Sequence, residues 1–246
     1  MVMSAETLSP EEEQVLSAIR RLAATIKERP EESSVVFSRL PEDSLAREII
    51  EAATEDLRGL SSHLPDFFGK YLDDLPPSPK LLFLGFGEGS ELLHARTSYP
   101  DSLLLGVDKS VGEMGVLSAL MADAVWLEED LGKKSPDEIL RTFGTMPDAV
   151  IARHPSNGPD PIMNHVLSEW GNLMSMAGRP MLISTYTQYE RYLVTDSLLC
   201  ANVLPLLSEY TGGSPANIDF LDGSNGNVPQ DRYVLQITSA SSRHLM

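Results

Sequence analysis

The strongest constraint in this sequence is a regular alternation of short apolar runs with helix-length segments, which begins at Lys80. This order is typical of repeated βα units and of a mainly parallel sheet. The predicted strands are Leu81–Leu84, Leu103–Val107, Val125–Glu128, Ala149–Ala152 and Met181–Thr185. The predicted helices are Ser90–Thr97, Val111–Met121, Pro136–Phe143, Pro161–Met176 and a long one from about Glu190 to Tyr210. The region therefore predicts an α/β fold.

The end of the chain has a different pattern. Two apolar runs, Asn217–Leu221 and Arg232–Thr238, are joined by a turn-rich segment at 222–227 with no helix between them. A connector of this kind predicts an antiparallel hairpin. Together with the five βα units, it predicts a three-layer, Rossmann-like, seven-stranded mixed sheet whose last strand is antiparallel.

The chain before the first predicted strand is expected to be helical. Ser9-Pro10-Glu11-Glu12 can cap a first helix, a second is predicted from near Pro41, and a third spans about Phe67 to Leu75. The cluster Pro76-Pro77-Ser78-Pro79 then prevents further helix. We therefore predict a helical extension over residues 1–79 and an α/β domain over 80–246.

Composition limits the partners and the compartment. The chain has 36 acidic and 19 basic residues and a net charge of −17, which makes nucleic acid an unlikely ligand. Cys200 is its single cysteine, so a disulfide framework or a thiolate metal site within one chain is excluded, and we expect no metal. Its apolar runs are shorter than the ~20 residues that a membrane span requires. We expect a cytoplasmic protein that does not enter membranes.

A glycine-rich turn follows the first predicted strand. The segment Gly85-Phe86-Gly87-Glu88-Gly89 lies between that strand and a predicted helix. Glycines allow a tight turn and a close approach to a ligand, and the N–H groups of a helix start favour polar atoms. The spacing G-x-G-x-G differs from the dinucleotide pattern G-x-G-x-x-G, which would need its third small residue at Ser90. Packing alone can also place glycines in such a turn.

An acidic residue ends the second predicted strand. At the carboxyl edge of the sheet, the carboxylate of Asp108 can accept hydrogen bonds from both hydroxyls of a ribose. It can also cap the helix that is predicted to follow.

The glycine turn, this acid and the closing hairpin together resemble the class I, Rossmann-like, S-adenosylmethionine-dependent methyltransferases. The resemblance implies S-adenosylmethionine as cofactor. It places Asp108 at the ribose, with Lys109 beside it, and implies Asp130, or Glu129 one residue earlier, as the contact of the adenine amino group. The cofactor turn itself would use Gly85, Phe86, Gly87 and Gly89. Members of the family often carry an acid two residues before the first glycine, where this chain has Phe83.

Candidate catalytic residues follow the fourth and fifth predicted strands. His154 is suited to general-base chemistry near neutral pH, and Arg153 could hold a carboxylate or phosphate of the substrate. Both residue types also serve ordinary hydrogen-bonding roles at strand ends. Three tyrosines could line an acceptor pocket or anchor packing: Tyr186, Tyr189 and Tyr192.

The sequence therefore predicts methyl transfer to a small-molecule or protein acceptor. The N-terminal helices could cover the site or form a homodimer. Two alternatives stay open. One is a binding or scaffold protein that keeps the fold without catalysis, as Phe83 indicates. The other is a nicotinamide-dependent oxidoreductase, which only Gly85, Gly87 and Asp108 support.

Overall fold

The computed structural model describes residues 64–86, 91–92, 95, 99, 101–109, 124–155, 161–213, 215–219 and 225–238, which all belong to one compact unit. The first two predicted helices, the helix at 111–121 and most of that at 90–97 lie outside these residues. The described elements are, in chain order, α1 (Leu64–Tyr71), β1 (Lys80–Leu84), β2 (Leu103–Asp108), β3 (Val125–Glu128), α2 (Pro136–Phe143), β4 (Ala149–Arg153), α3 (Pro161–Ala177), β5 (Met181–Thr185), α4 (Gln188–Cys200), β6 (Leu206–Glu209), β7 (Pro215–Asp219), β8 (Asn225–Pro229) and β9 (Tyr233–Ile237).

Seven of the strands form one mixed sheet, in the order β3-β2-β1-β4-β5-β9-β6. The strands β1 to β5 pair in parallel, whereas β9 runs antiparallel to both of its neighbours, β5 and β6. The predicted seven-stranded mixed sheet with its last strand antiparallel is therefore confirmed.

The predicted partner of the last strand was wrong. The run that begins near Asn217 forms β7, which pairs with β8 in a separate two-stranded sheet. The neighbours of β9 in the main sheet are β5 and β6 instead. The connection between β6 and β9 thus contains a small hairpin of its own.

The long helix predicted from Glu190 to Tyr210 was also wrong in its extent. Helix α4 ends at Cys200, and Asn202 then takes a left-handed backbone conformation with φ 59°. Pro205 has no N–H to continue a helix. The residues that follow form the edge strand β6, and pairing with β9 satisfies the backbone hydrogen-bonding groups on one side of this strand.

Described helices lie on both faces of the sheet. Helices α2, α3 and α4 share a core with one face, around Ile139, Trp170 and Leu198. Leu235 lies in this core, so the alternation of a strand places Gln236 on the other face. Helix α1 lies on that face, where the Gln236 side-chain amide donates to the Tyr71 carbonyl at 3.2 Å. The predicted boundary between residues 79 and 80 stays a prediction.

Within the described part of the chain, none of the helices combines the length and the apolarity needed to cross a membrane.

Candidate functional site

The strand order creates a crevice at one edge of the sheet. From β1 the chain moves outward through β2 and β3, and it then returns to the other side of β1 with β4 and β5. Parallel strands end at the same edge, and ligands of open α/β sheets bind where the strand order reverses. The carboxyl ends of β1 and β4 therefore mark the candidate site.

The first glycine of the turn lies at this point. Gly85 follows β1 directly and has φ 66°, a left-handed conformation that favours glycine. Its N–H donates to the carbonyl of Val107 at 2.8 Å, which holds the start of the turn beside the end of β2. Gly87 and Gly89 lie outside the described residues.

Phe86 contributes its side chain to packing. It is buried, and its ring centre lies 5.3 Å from that of Trp126 on β3. Both rings pass over Gly106, where an added Cβ would meet Phe86 at 2.6 Å and Trp126 at 2.7 Å. The backbone of Phe86 is then the part of this residue that could contact a ligand.

The predicted ribose contact ends β2. Asp108 is buried, and its carbonyl accepts from the N–H of Glu129 at 2.9 Å. Lys109 follows it and is exposed. The carboxylate of Asp108 and the Gly85 turn therefore lie at the ends of adjacent strands, in the arrangement that the sequence predicts.

The predicted adenine contact is engaged in a local turn. Asp130 accepts from the Gly132 N–H at 3.0 Å and pairs with Lys133 at 2.9 Å. These hydrogen bonds, led by that of Lys133, lower the pKa of Asp130. The alternative, Glu129, lies 3.9 Å from Lys134. Both carboxylates are partly exposed, so neither is held in one place by burial.

Phe83 is part of the hydrophobic interior. It is buried between Gly106 of β2 and Ile151 of β4 in the strand register. An acidic side chain could not replace it there without a partner, because an unpaired buried carboxylate is costly. The chain therefore has no carboxylate at this point of β1.

A buried ionic network crosses the crevice. The guanidinium of Arg153, at the end of β4, donates to both carboxylate oxygens of Asp231, at 2.9 Å from Nε and 2.7 Å from Nη2. Its Nη1 lies 3.4 Å from Glu91, in the segment after the glycine turn. The side chains are 6% exposed for Arg153, 0% for Asp231 and 10% for Glu91. Asp231 also accepts from the Ser184 hydroxyl.

This network fixes the charge of Arg153. Burial alone would favour loss of its proton, but the carboxylates of Asp231 and Glu91 outweigh burial and raise the pKa of the guanidinium. Three of its nitrogens donate to carboxylates of the protein. That Arg153 grips a substrate anion stays a prediction, and these contacts favour a positioning role.

His154 is held by the same network. The backbone N–H of Asp231 donates to its Nε2 at 3.1 Å, and its ring stacks on Tyr186 with centres 3.7 Å apart. Burial lowers the pKa of His154, so the ring is neutral near pH 7. Nε2 also lies 3.3 Å from Oδ1 of Asp231, so the backbone amide and the carboxylate of Asp231 both face this nitrogen. Nε2 can act as a base only when it is released from its contacts with Asp231.

Of the three candidate tyrosines, one lies within the site. Burial, the largest cause, raises the pKa of Tyr186 to about 12, so its hydroxyl keeps its proton at neutral pH. Tyr189 and Tyr192, on the first turns of α4, are exposed. They are accessible to an acceptor and do not anchor the core.

Sequence reasoning did not single out the acids of the network. Asp231 lies just before β9, and Glu91 just after the glycine turn. The only signal in the sequence for these two members of the network was that each position carries a polar residue. No cluster of His, Cys, Asp or Glu able to hold a metal ion occurs among the residues that the structure covers.

Comparison with known proteins gives structural likenesses alone, since no family model and no curated protein matches the sequence. The chain is similar to fibrillarin from Aeropyrum pernix, crystallised with natively bound S-adenosyl-L-methionine, at 13% identity over 74% of this chain and 76% of that one (TM-score 0.47). A precorrin-6y C5,15-methyltransferase from Geobacter metallireducens is 12% identical over 74% and 93% of the two chains (TM-score 0.47). A SAM-dependent O-methyltransferase from Thermotoga maritima is 15% identical over 80% and 71% (TM-score 0.47).

Proposed function

We propose that this chain is an S-adenosylmethionine-dependent methyltransferase that acts on a small-molecule or protein acceptor. One observation carries the proposal. The Gly85 turn lies where the strand order reverses, and Asp108 ends the adjacent strand β2, which the hydrogen bond from Gly85 to Val107 holds beside the turn. The antiparallel β9 supports a methyltransferase rather than a dinucleotide-binding domain, which would continue with parallel units.

The residues at the crevice fit most of this cofactor. Asp108 would accept from the ribose hydroxyls, the backbone from Gly85 onward would approach the ligand, and Asp130 or Glu129 would reach the adenine. When bound, S-adenosylmethionine supplies a methyl group on a sulfonium, whose sulfur keeps the bonding electrons as the acceptor's lone pair takes the methyl. Because β1 carries Phe83, the amino-acid end must be held by other groups.

We assign the residues after β4 to orientation of the site. Arg153 holds Glu91 and Asp231 together across the crevice, and Asp231 orients His154. Alignment of the reacting groups accounts for much of the rate enhancement in a transfer of this kind. His154 remains our candidate for the proton acceptor, acting after the Asp231 amide releases Nε2.

A second function is favoured by two particular observations. Phe83 replaces the acid of the family, and the nitrogen of His154 that could act as a base is occupied. A binding or scaffold protein that keeps the methyltransferase fold would retain this arrangement without turnover.

A thermal shift assay separates the candidates. We expect S-adenosylhomocysteine to raise the melting temperature of the wild-type protein and NAD to leave it unchanged. Stabilisation by NAD alone would support an oxidoreductase instead. Stabilisation by neither would favour the scaffold protein.

A further inference from the structure

Two arginines outside the ionic network meet at one aromatic ring. The guanidinium carbon of Arg191, on α4, lies 4.6 Å from the centre of the Tyr233 ring, and that of Arg232 lies 5.0 Å from it. Tyr233 is buried and pairs with Thr185, the last residue of β5. The arginine pair therefore lies at the carboxyl edge of the parallel strands, on the same edge as the candidate site.

Neither arginine has an acidic partner among the residues that the structure describes. Among the described residues, no carboxylate comes within 4.0 Å of either guanidinium. Their acidic neighbours in the sequence are bound elsewhere: Glu190 caps α4 at Thr187, and Asp231 binds Arg153. In a chain of net charge −17, two partly buried cations are thus left without a carboxylate from the described part of the chain.

The contact with Tyr233 leaves the arginines able to bind an anion. A guanidinium has five N–H donors in one plane, and contact with a ring does not occupy them with a hydrogen-bond acceptor. That plane matches the geometry of carboxylate and phosphate oxygens. Contact with the buried ring also limits the freedom of the side chains, which reduces the entropy lost on binding.

We propose that Arg191 and Arg232 form an anion-binding subsite that takes a carboxylate or phosphate group of a small-molecule methyl acceptor. This assignment rests on the proposed function, because it places the acceptor at the edge shared with the cofactor. Arg232 directly follows Asp231, whose backbone N–H donates to Nε2 of His154 at 3.1 Å, so the subsite is close in the chain to the proposed proton acceptor. The acceptor is thus a small acidic molecule; the chain's acidity disfavours a polyanion.

Calorimetry with inorganic phosphate and with malonate, at constant ionic strength, tests the subsite. We expect the wild-type protein to bind at least one of these anions at a single site. Arg191→Gln and Arg232→Gln should each weaken binding by about tenfold, and the double variant should abolish it. Arg141→Gln is the matched control, since that guanidinium bonds a carbonyl of its own helix, α2. It should bind as the wild type does.

The same proteins are titrated with S-adenosylhomocysteine, with and without saturating anion. Unchanged affinity in the double variant would show that the site remains folded, and simultaneous binding of both ligands would support an acceptor subsite. Anion binding that persists in the double variant, or no binding by the wild type, would overturn the subsite. If S-adenosylhomocysteine displaces the anion, the acceptor assignment is wrong. If the anion binds and S-adenosylhomocysteine does not, the proposed function fails and the acceptor assignment fails with it.

Discussion

Arg153 and Asp231 form a bidentate ion pair inside the protein, with Nε–Oδ1 and Nη2–Oδ2 distances of 2.9 and 2.7 Å. The first residue ends β4, and the second lies just before β9, across the intervening strand β5. Since Arg153 also reaches Glu91, this pair ties the segment after the glycine turn to the carboxyl edge of the sheet. The pair thus positions the groups around the crevice.

Asp231→Asn should destabilise the protein by about 3 kcal/mol, because removal of one partner leaves a buried charge poorly compensated. Asparagine keeps the shape of the side chain and tolerates the positive φ of 54° at this position. Urea unfolding followed by circular dichroism measures the change. Glu169→Gln, which alters the exposed pair with His165, should change stability by less than about 0.5 kcal/mol. Equal effects of the two substitutions would refute the role of the network.

The protein should become less stable as the pH falls through the range in which an ordinary histidine takes up a proton. Burial, aided by the charge of Arg153, lowers the pKa of His154, although Asp231 and Glu190 oppose the shift. The unfolded chain takes up this proton near the usual pKa of about 6.5, whereas the folded protein does so at lower pH. This contribution is therefore complete above about pH 6.5 and is lost as the pH falls towards the lowered pKa.

His154→Asn should reduce this pH dependence. Asparagine accepts the φ of 45° at position 154 and cannot titrate. Unfolding free energies at about pH 7.5 and about pH 5.5 should differ less in this variant than in the wild type. His165→Asn removes an exposed histidine and should keep the wild-type difference. If both variants behave alike, His154 is not the residue responsible.

Gly106→Ala should cost about 1–3 kcal/mol, because the added methyl group would overlap Phe86 and Trp126. Since Phe86 lies in the turn, the variant should also bind S-adenosylhomocysteine more weakly. Gly69→Ala is the control. Its Cβ meets nothing within 4 Å on helix α1, so it should gain about 0.5–1 kcal/mol. A stable Gly106→Ala protein would contradict the packing described for this turn.

Gly85→Ala and Gly144→Ala form a matched pair. Their φ angles are 66° and 67°, and an added Cβ meets nothing within 4 Å at either position. Each should lose about 1–2 kcal/mol through backbone strain alone. Gly144 ends α2, so only Gly85→Ala should weaken the binding of S-adenosylhomocysteine in calorimetry. Equal binding by both variants would show that Gly85 is not part of the cofactor site.

Local patterns predicted most of the sheet. The strands β3 and β5 have the predicted bounds, and the others among the first five differ by one residue. The apolar runs predict β1, β2, β4 and β5, because both faces of a parallel sheet are buried, whereas β3 lies at an edge and is partly exposed. The bounds of α2 also agree, since Ser135 and Glu138 form a capping box and Gly144 ends the helix.

Long-range pairing was not predicted. The strand β6 is short and lies at an edge, with Leu206 and Leu207 exposed, so it lacks the buried alternation that identifies a strand. The run that forms β7 was predicted to pair with β9. Turn residues indicate that a hairpin forms, but they do not indicate which strands pair in it. Pro205 was the local signal that α4 could not continue.

The site was only partly predictable for the same reason. Gly85 and Asp108 follow strands that a sequence pattern identifies, and the structure places them together. Asp231 lies 78 residues from Arg153, and only the folded sheet brings the two together. The engagement of Nε2 of His154 likewise depends on a backbone amide of that distant segment.

Calorimetric titration with S-adenosylhomocysteine tests the central claim most directly. We predict that the wild-type protein binds one equivalent and that Asp108→Asn binds at least about tenfold more weakly, because a charged hydrogen-bond acceptor is lost. Asp101→Asn, just before the other end of β2, should bind as the wild type does. Absence of binding by the wild type at millimolar ligand would contradict the account, and unchanged binding by Asp108→Asn would remove the assigned ribose contact.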